Sequence, residues 1–416
     1  MIDVYDFHII MYFYLGQFMQ NKPNFTHFSP ENDDFIKNKP NSNPIQSQFN
    51  PIQSQFNPKQ TQFKPNSNPI LLTFKGALKD KNNDVIIHRY YNEKWIIKDN
   101  QMKLVTYSKD KSVSCAVLTD KGLIDIPSAW DGPNPPRSVK EILQKGPACL
   151  EKLAGLTPSA DHLIPLDSVS LLAPILRPGK ALALAGNYSE HIKEASTTRG
   201  FNVGLSDSPR LTTVPRPFLM PPTVVIGPGD EIPWPAYSKD VDYELELAVV
   251  IGKNAKAVTA ESALDYVAGY TIANDVSART VTFKKARAKR PWDEFYDWLN
   301  GKWSDGFLPM GPYLLTSDEI KDVQNLNLTL TVNGEVKQNA NTSQMIYPVA
   351  DIVSFLSHIM TLEPGDVIAT GTPSGVGLAT GNYLKPGDKI ECSIENLGTL
   401  TNSLGQRPEK FYEPLA

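Results

Sequence analysis

Three carboxylates, Asp242, Glu244 and Glu246, occupy alternate positions in the stretch DYELELAVVIGK. Its Tyr, Leu, Val and Ile content reads as a β-strand closed by Gly252, and residues two apart in a strand project from one face. Like charges held that close repel one another, and burying them unpaired is costly. Two arrangements make the pattern tolerable. One is a solvated edge strand whose outer face is acidic. The other is a divalent cation: Mg²⁺ and Mn²⁺ prefer carboxylate oxygens, and two acids from one strand can fill one side of a near-octahedral shell. A further ligand must then come from elsewhere in the chain. Asp275, at the end of the apolar run in GYTIANDVSART, is a candidate; an Asp there also serves as a turn or N-cap residue.

GNYSEHIKEAS holds His191 and Glu194 three residues apart, which on a helix puts them on one face. A carboxylate beside an imidazole fixes its tautomer and raises its basicity, as suits a base that deprotonates water. An exposed helical pair without consequence has the same spacing. Lys302, in NGKWSDGFLPMGPYLLT, stands between a turn and a Pro- and Gly-rich strand entrance, where a lysine is ordinarily solvated. DVIATGTPSGVG runs from a strand into a Gly-rich loop starting at Thr370. Its small residues let backbone N–H groups and the Thr372 hydroxyl approach a small anion. The run KKARAKR from Lys284 reads as a solvated helix face, or as a local funnel for an anionic substrate.

The elements that must hold these residues belong to a chain of two unlike parts. Residues 43–63, NPIQSQFNPIQSQFNPKQTQF, repeat a seven-residue unit three times, and KPNSNPI occurs twice. A proline in every unit forbids a continuous coiled-coil helix, and the few apolar residues cannot offset chain entropy, so disorder is expected. From Met102 the character changes. MKLVTYSKDKSVSCAVLTDKGLIDI reads as short strands joined by tight turns, and SVKEILQKGPACLEKLAGL has helical periodicity. Beyond Lys180 strands and Pro/Gly turns dominate. TAESALDYVAGYTIAND reads as a helix leading into a strand, and YPVADIVSFLSHIMTL as a second helix. There is no regular βαβ alternation and no G-x-x-x-x-G-K-[ST] loop. The formal net charge of −4 gives no general attraction to nucleic acid or anionic membrane. The apolar N-terminus lacks the basic start of a secretory signal, and no segment is long and apolar enough to cross a bilayer. Three scattered cysteines, Cys115, Cys149 and Cys392, form no zinc or disulfide framework and fit a reducing cytoplasm.

Together and in this order, GNYSEH, VDYELELAVVIGK, NDVSAR, GKWSDGFLPMGP, NTSQMI and TGTPSGVG resemble the fumarylacetoacetate hydrolase family. The match runs from about Met102 to the C-terminus and is specific from Ala181 onward. It implies an α+β protein: a small N-terminal α/β domain over 102–175, a β-rich catalytic domain (a mixed β-sandwich roll) over 176–416, and an extension over 1–101 that is disordered or not part of the natural product. It also implies Glu244, Glu246 and Asp275 as ligands of Mg²⁺ (or Mn²⁺, with Ca²⁺ a further candidate), with Asp242 supporting them by hydrogen bonding. His191 with Glu194 would activate water, Lys302 would stabilise developing negative charge, and Arg279, Gly371 and Thr372 would contact substrate. The implied reaction is metal-assisted hydrolysis of a C–C bond in a 1,3-dicarbonyl 2-oxo acid of acylpyruvate or fumarylacetoacetate type, as in aromatic compound catabolism. Decarboxylase, isomerase or hydratase chemistry on the same scaffold is the alternative, and a catalytically silent binding protein a further one. A homodimer is expected, with a small anionic substrate and no nucleic-acid or membrane partner. Three positions depart from the family pattern: Met220 stands where a substrate-contacting lysine is common, and Thr280 and Thr282 stand where Asp and Gln are common.

Overall fold

The computed structural model describes residues 101–156, 162–199, 209–288 and 290–416, all within the unit Ile87–Ala416. The extension 1–101 lies outside the described residues except for Gln101.

The strands foreseen after Met102 form as Lys103–Lys109, Ser112–Thr119 and Gly122–Asp125. Asp110 and Lys111 both adopt positive φ (50° and 66°), the backbone of a two-residue hairpin turn that matches strand twist. The helical stretch that follows divides into Val139–Lys145 and Pro147–Ala154, because Gly146 at φ 75° ends the first and Pro147 starts the second. Strand Lys103–Lys109 pairs with Leu308–Thr316, so these strands join a twelve-stranded sheet. From there the sheet runs through Val267–Asn274, Leu245–Ile251, Val367–Ala369 and Ala181–Leu184 to Pro217–Met220. A five-stranded sheet is built from Glu335–Asn341, Asn327–Val332, Lys389–Ile394, Gly398–Leu404 and Glu231–Ile232.

Strand Leu245–Ile251 is buried at every position, which excludes the solvated-edge arrangement. Its alternate residues feed two cores. Leu245, Leu247, Val249 and Ile251 pack with Leu330, Cys392 and Leu404 of the smaller sheet and with helix Val349–Ile359. Ala248 and Val250 pack with the N-terminal helices through Ile142 and Leu153. The expected helix YPVADIVSFLSHIMTL is therefore present. The one expected over TAESALDY is reduced to the 3₁₀ turn Ala263–Tyr266, and the apolar residues after it form strand Val267–Asn274. The described residues of KKARAKR, 284–288 and 290, are exposed and not helical, in contrast to the helix face expected. Its Lys285 pairs with Glu413 at 3.7 Å and Arg287 with Asp297.

Candidate metal centre and active site

Strands Leu245–Ile251 and Val267–Asn274 are antiparallel, with Leu245 opposite Asn274 and Glu246 opposite Ala273. One step further, the Asp275 N–H donates to the Glu244 carbonyl at 2.8 Å. The register thus sets Glu244 beside Asp275 and puts Glu246 on the same face two residues along. Ligand atoms from Glu244, Glu246 and Asp275 lie within 4.8 Å of one another, and all three residues are buried. Like charges directly opposite in a sheet destabilise it. Lys302 meets that cost: its Nζ is 2.7 Å from Glu244 Oε2 and 2.7 Å from Asp275 Oδ2, and it donates to the Asp275 carbonyl at 3.2 Å. The side chain is 1% exposed, contrary to the solvated turn lysine that its local sequence allows. Helix Asp293–Asn300, which sequence periodicity did not reveal, delivers it, and the rings of Trp298 and Phe218 stand 5.8 and 6.0 Å from the ammonium.

Asp242 is not a member of the cluster formed by Glu244, Glu246 and Asp275. The strand breaks after it, and Val241–Asp242 pairs instead with Ser277–Ala278. Its carboxylate accepts the N–H groups of Tyr243, Gly377 and Leu378 and pairs with Arg279 Nε at 2.9 Å. Arg279 also pairs with Glu244 Oε1. Its guanidinium is therefore directed at the acids. Asp242 thus holds Arg279, and Arg279 holds a candidate ligand, a supporting role of the kind expected for Asp242.

Counted as fully ionised, four buried carboxylates face two buried cations here, a formal excess of two negative charges. Two of the carboxylate oxygens, Glu246 Oε1 and Asp275 Oδ1, are buried and have no hydrogen-bond partner. Buried carboxylate oxygens are ordinarily satisfied. Two orphans in one cluster, with a charge deficit equal to one divalent ion, fit a cation bound by Glu244, Glu246 and Asp275. Electrostatics sets the three acids apart. Burial, with Asp275 and Glu244 adding to it, pushes Glu246 well above the ordinary carboxylate range. Burial and then Glu244 raise Asp275 to about 6, although Lys302 works against the shift. Burial acts on Glu244 too, but Lys302 and Arg279 outweigh it and hold that group at about 2. Lys302 itself is disfavoured by burial yet lies above the ordinary lysine value because Asp275 and Glu244 face it.

The Gly-rich loop closes on this cluster. Gly371 donates its N–H to Glu246 Oε2 at 2.6 Å. It has φ +97°, and a Cβ there would lie 2.6 Å from Asn187 Cβ, so a side chain is excluded on both counts. Helix Ser189–Arg199 carries His191 and Glu194 on one side. His191 Nδ1 is 3.9 Å from Glu194 Oε2, too long for a hydrogen bond, and the Glu194 carboxylate accepts the Gly375 N–H at 3.0 and 3.2 Å. The His–Glu pair is thereby tied to the same loop as Thr372.

Asn187 and Tyr188 were not singled out in the sequence as site residues. Asn187 caps both neighbouring segments, accepting the Tyr347 N–H and donating to the carbonyls of Tyr347 and Thr370. Tyr188, next to it, has a buried hydroxyl without a partner. Met220, where a substrate lysine is common, is buried in the second core. Thr280 pairs with Asp240.

Residues 180–404 match the family Fumarylacetoacetate (FAA) hydrolase C-terminal. A mitochondrial oxaloacetate tautomerase of Rattus norvegicus is 37% identical over 285 residues, 68% of this chain and 84% of that protein. The corresponding protein of Xenopus laevis is 38% identical over 306 residues, 72% of this chain and 89% of that protein. Among solved structures, a fumarylacetoacetate hydrolase from Exiguobacterium antarcticum superposes with a TM-score of 0.59 at 33% identity, covering 74% of this chain and all (100%) of that one. A 2-hydroxyhepta-2,4-diene-1,7-dioate isomerase from Mycobacterium marinum gives 0.52 at 33% identity with the same coverage. The buried carboxylates and their supporting cations sit in a fold shared with enzymes named as a hydrolase and an isomerase, and the chain belongs to the fumarylacetoacetate hydrolase family.

Proposed function

We propose that the protein catalyses enolisation of a 2-oxo acid of oxaloacetate type, moving a proton between C3 and the oxygen on C2. The observation that carries this reading is the pair of unpartnered oxygens, Glu246 Oε1 and Asp275 Oδ1, beside an ammonium and a histidine-bearing helix. Glu244, Glu246 and Asp275 would hold Mg²⁺. A bound divalent cation polarises the 2-oxo group and lowers the cost of negative charge on its oxygen. His191 takes the proton from C3 and returns one to oxygen, so that no water is consumed and no C–C bond breaks. Glu194, held by Gly375, puts a carboxylate 3.9 Å from the imidazole, where its charge stabilises the imidazolium that forms. Lys302 keeps Glu244 and Asp275 ionised and spaced. The names of the two curated relatives and of the Mycobacterium marinum enzyme favour proton movement over cleavage.

A second reading, C–C hydrolysis of an acylpyruvate, is supported by the same His191–Glu194 pair, which could equally deprotonate water for attack on the distal carbonyl, and by the Exiguobacterium antarcticum hydrolase. A catalytically silent binding protein is disfavoured by retention of the complete carboxylate and lysine set. The functional species we propose is a homodimer acting on a small anion, with no nucleic-acid or membrane partner; among the described residues no helix is long and apolar enough to cross a membrane. Three buried free cysteines suit a reducing compartment, either the expected cytoplasm or the mitochondrion named for the relatives. The boundaries 102–175 and 176–416, after a dispensable 1–101, remain our division of the chain.

The test is a panel of oxaloacetate, acylpyruvates and unsaturated 2-oxo acids with and without Mg²⁺. Enol–keto interconversion of oxaloacetate should accelerate with Mg²⁺ while acylpyruvates stay intact. Rapid acylpyruvate cleavage with oxaloacetate untouched would overturn the proposal in favour of hydrolysis.

A further inference from the structure

Gln338 lies on strand Glu335–Asn341 of the five-stranded sheet and is 1% exposed. Its amide joins two parts of the site. Oε1 accepts the N–H of Leu245, the residue between Glu244 and Glu246, at 2.9 Å. Nε2 donates to the Pro373 carbonyl and to Thr372 Oγ1, each at 2.9 Å. The two ends of an amide side chain are often interchangeable, but not here. A backbone N–H only donates and a carbonyl only accepts, so Leu245 and Pro373 together fix which end is which.

That assignment determines the polarity of Thr372. A hydroxyl has one proton and accepts through its lone pairs. With Nε2 donating to Oγ1, the Thr372 proton must point away from Gln338. Among the described residues no hydrogen bond takes it up. The neighbouring Gly371 donates its N–H to Glu246, so this loop lies against the carboxylate cluster. We infer that Gln338 is a positioning residue that fixes the Thr372 hydroxyl as a hydrogen-bond donor to an anionic oxygen of the substrate. This inference rests on the reading of the site as one for 2-oxo acids. It adds selectivity: a carboxylate or enolate oxygen is accepted at Thr372, and a group that must itself donate, such as an amide nitrogen, is not.

The probe is oxalate, whose adjacent carboxylates present the vicinal oxygens of a 2-oxo acid, titrated calorimetrically into Mg²⁺-loaded full-length protein. Gln338→Glu keeps the shape and the acceptor for Leu245 but turns the Nε2 donor into an acceptor, which would draw the Thr372 proton inward. Oxalate affinity should fall by about 10- to 100-fold, the worth of one hydrogen bond to a charged group. Thr372→Val should lose a similar factor, the double variant should be no weaker than either single one, and Thr372→Ser should bind like the unaltered protein. Mg²⁺ affinity should stay unchanged in Thr372→Val. If Gln338→Glu does not fold, Gln338→Met serves: it should weaken oxalate binding in the natural background and have no further effect in the Thr372→Val background. Additive losses, or unchanged oxalate affinity in the Gln338 variants, would overturn the inference while leaving the 2-oxo acid reading intact. Failure of the unaltered protein to bind oxalate would overturn both.

Discussion

Lys302→Met removes a charge from the centre of the site while keeping an unbranched side chain among Trp298 and Phe218. At an effective dielectric of about 20, a charge pair at the observed 2.7 Å attracts by about 6 kcal/mol. Much of that is offset by desolvation of the buried ammonium, and losing one partner of a buried ion pair costs about 3–5 kcal/mol net. The loss should depend on pH in a defined direction. Without Lys302, Asp275 rises further above its present value of about 6, and Glu244 rises from about 2. A carboxyl whose folded pKa exceeds its unfolded value penalises the folded state above that pKa and is relieved below it. The deficit of the variant should therefore be larger near pH 8 and shrink toward pH 5.5. Mg²⁺ brings positive charge to the same oxygens, so it should stabilise the variant more than the unaltered protein. Urea unfolding at the two pH values, in EDTA and in saturating Mg²⁺, measures all of this. An equal loss at both pH values with no additional Mg²⁺ effect would show that Lys302 contributes only packing.

Glu246→Gln should lower Mg²⁺ affinity by more than about 100-fold, beyond the range of supporting-residue losses, with the fold preserved because an amide oxygen can still accept from Gly371; calorimetry showing unchanged binding would remove the metal assignment. In the metal-free protein Asp275 holds a proton up to about pH 6, and Glu246 is raised well above its usual range. Cation uptake must displace these protons, so Mg²⁺ affinity should weaken as pH falls through 6, with proton release readable in buffers of different ionisation enthalpy. His191→Ala should slow proton transfer by about 10²- to 10⁴-fold and leave Mg²⁺ binding intact; a retained full rate would locate the base elsewhere. A chain starting at Met102, whose N–H donates to Glu319 at 3.1 Å, should match the full chain in melting temperature and rate, and a loss of several degrees would refute the proposed boundary.

The metal candidates were legible because strand periodicity is simple: Glu244 and Glu246 stand two apart, and the ladder bond from Asp275 to the Glu244 carbonyl holds Glu244 in line just before the strand begins. The same rule failed for Asp242, since it assumes an unbroken strand, and the chain departs from strand geometry at Tyr243–Glu244 to let Asp242 serve Arg279 and two loop N–H groups. Burial of Lys302 could not be read locally, because its environment comes from Glu244 and Asp275, distant in sequence. Asn187 and Gln338 were missed for a related reason. Their task is to satisfy backbone groups of segments far along the chain, which leaves no periodic trace. The helix expected over TAESALDY gave way because the strand starting at Val267 took up the residues that would have extended it.

The three candidate ligands hang from the buried middle of the large sheet, at the start of one strand and the end of its neighbour. The helix with His191 and Glu194, the segment following Arg279 and the stretch around Met220 are attached from outside those two strands. Inheritance can therefore act on the two groups of residues separately. Replacements in the outer segments can alter the surroundings of the carboxylate cluster without a loss of folding in the sheet that carries it. A lineage can then change its chemistry through intermediates that still fold. Divergence of this kind accounts for differently named activities among relatives of this chain at similar identity.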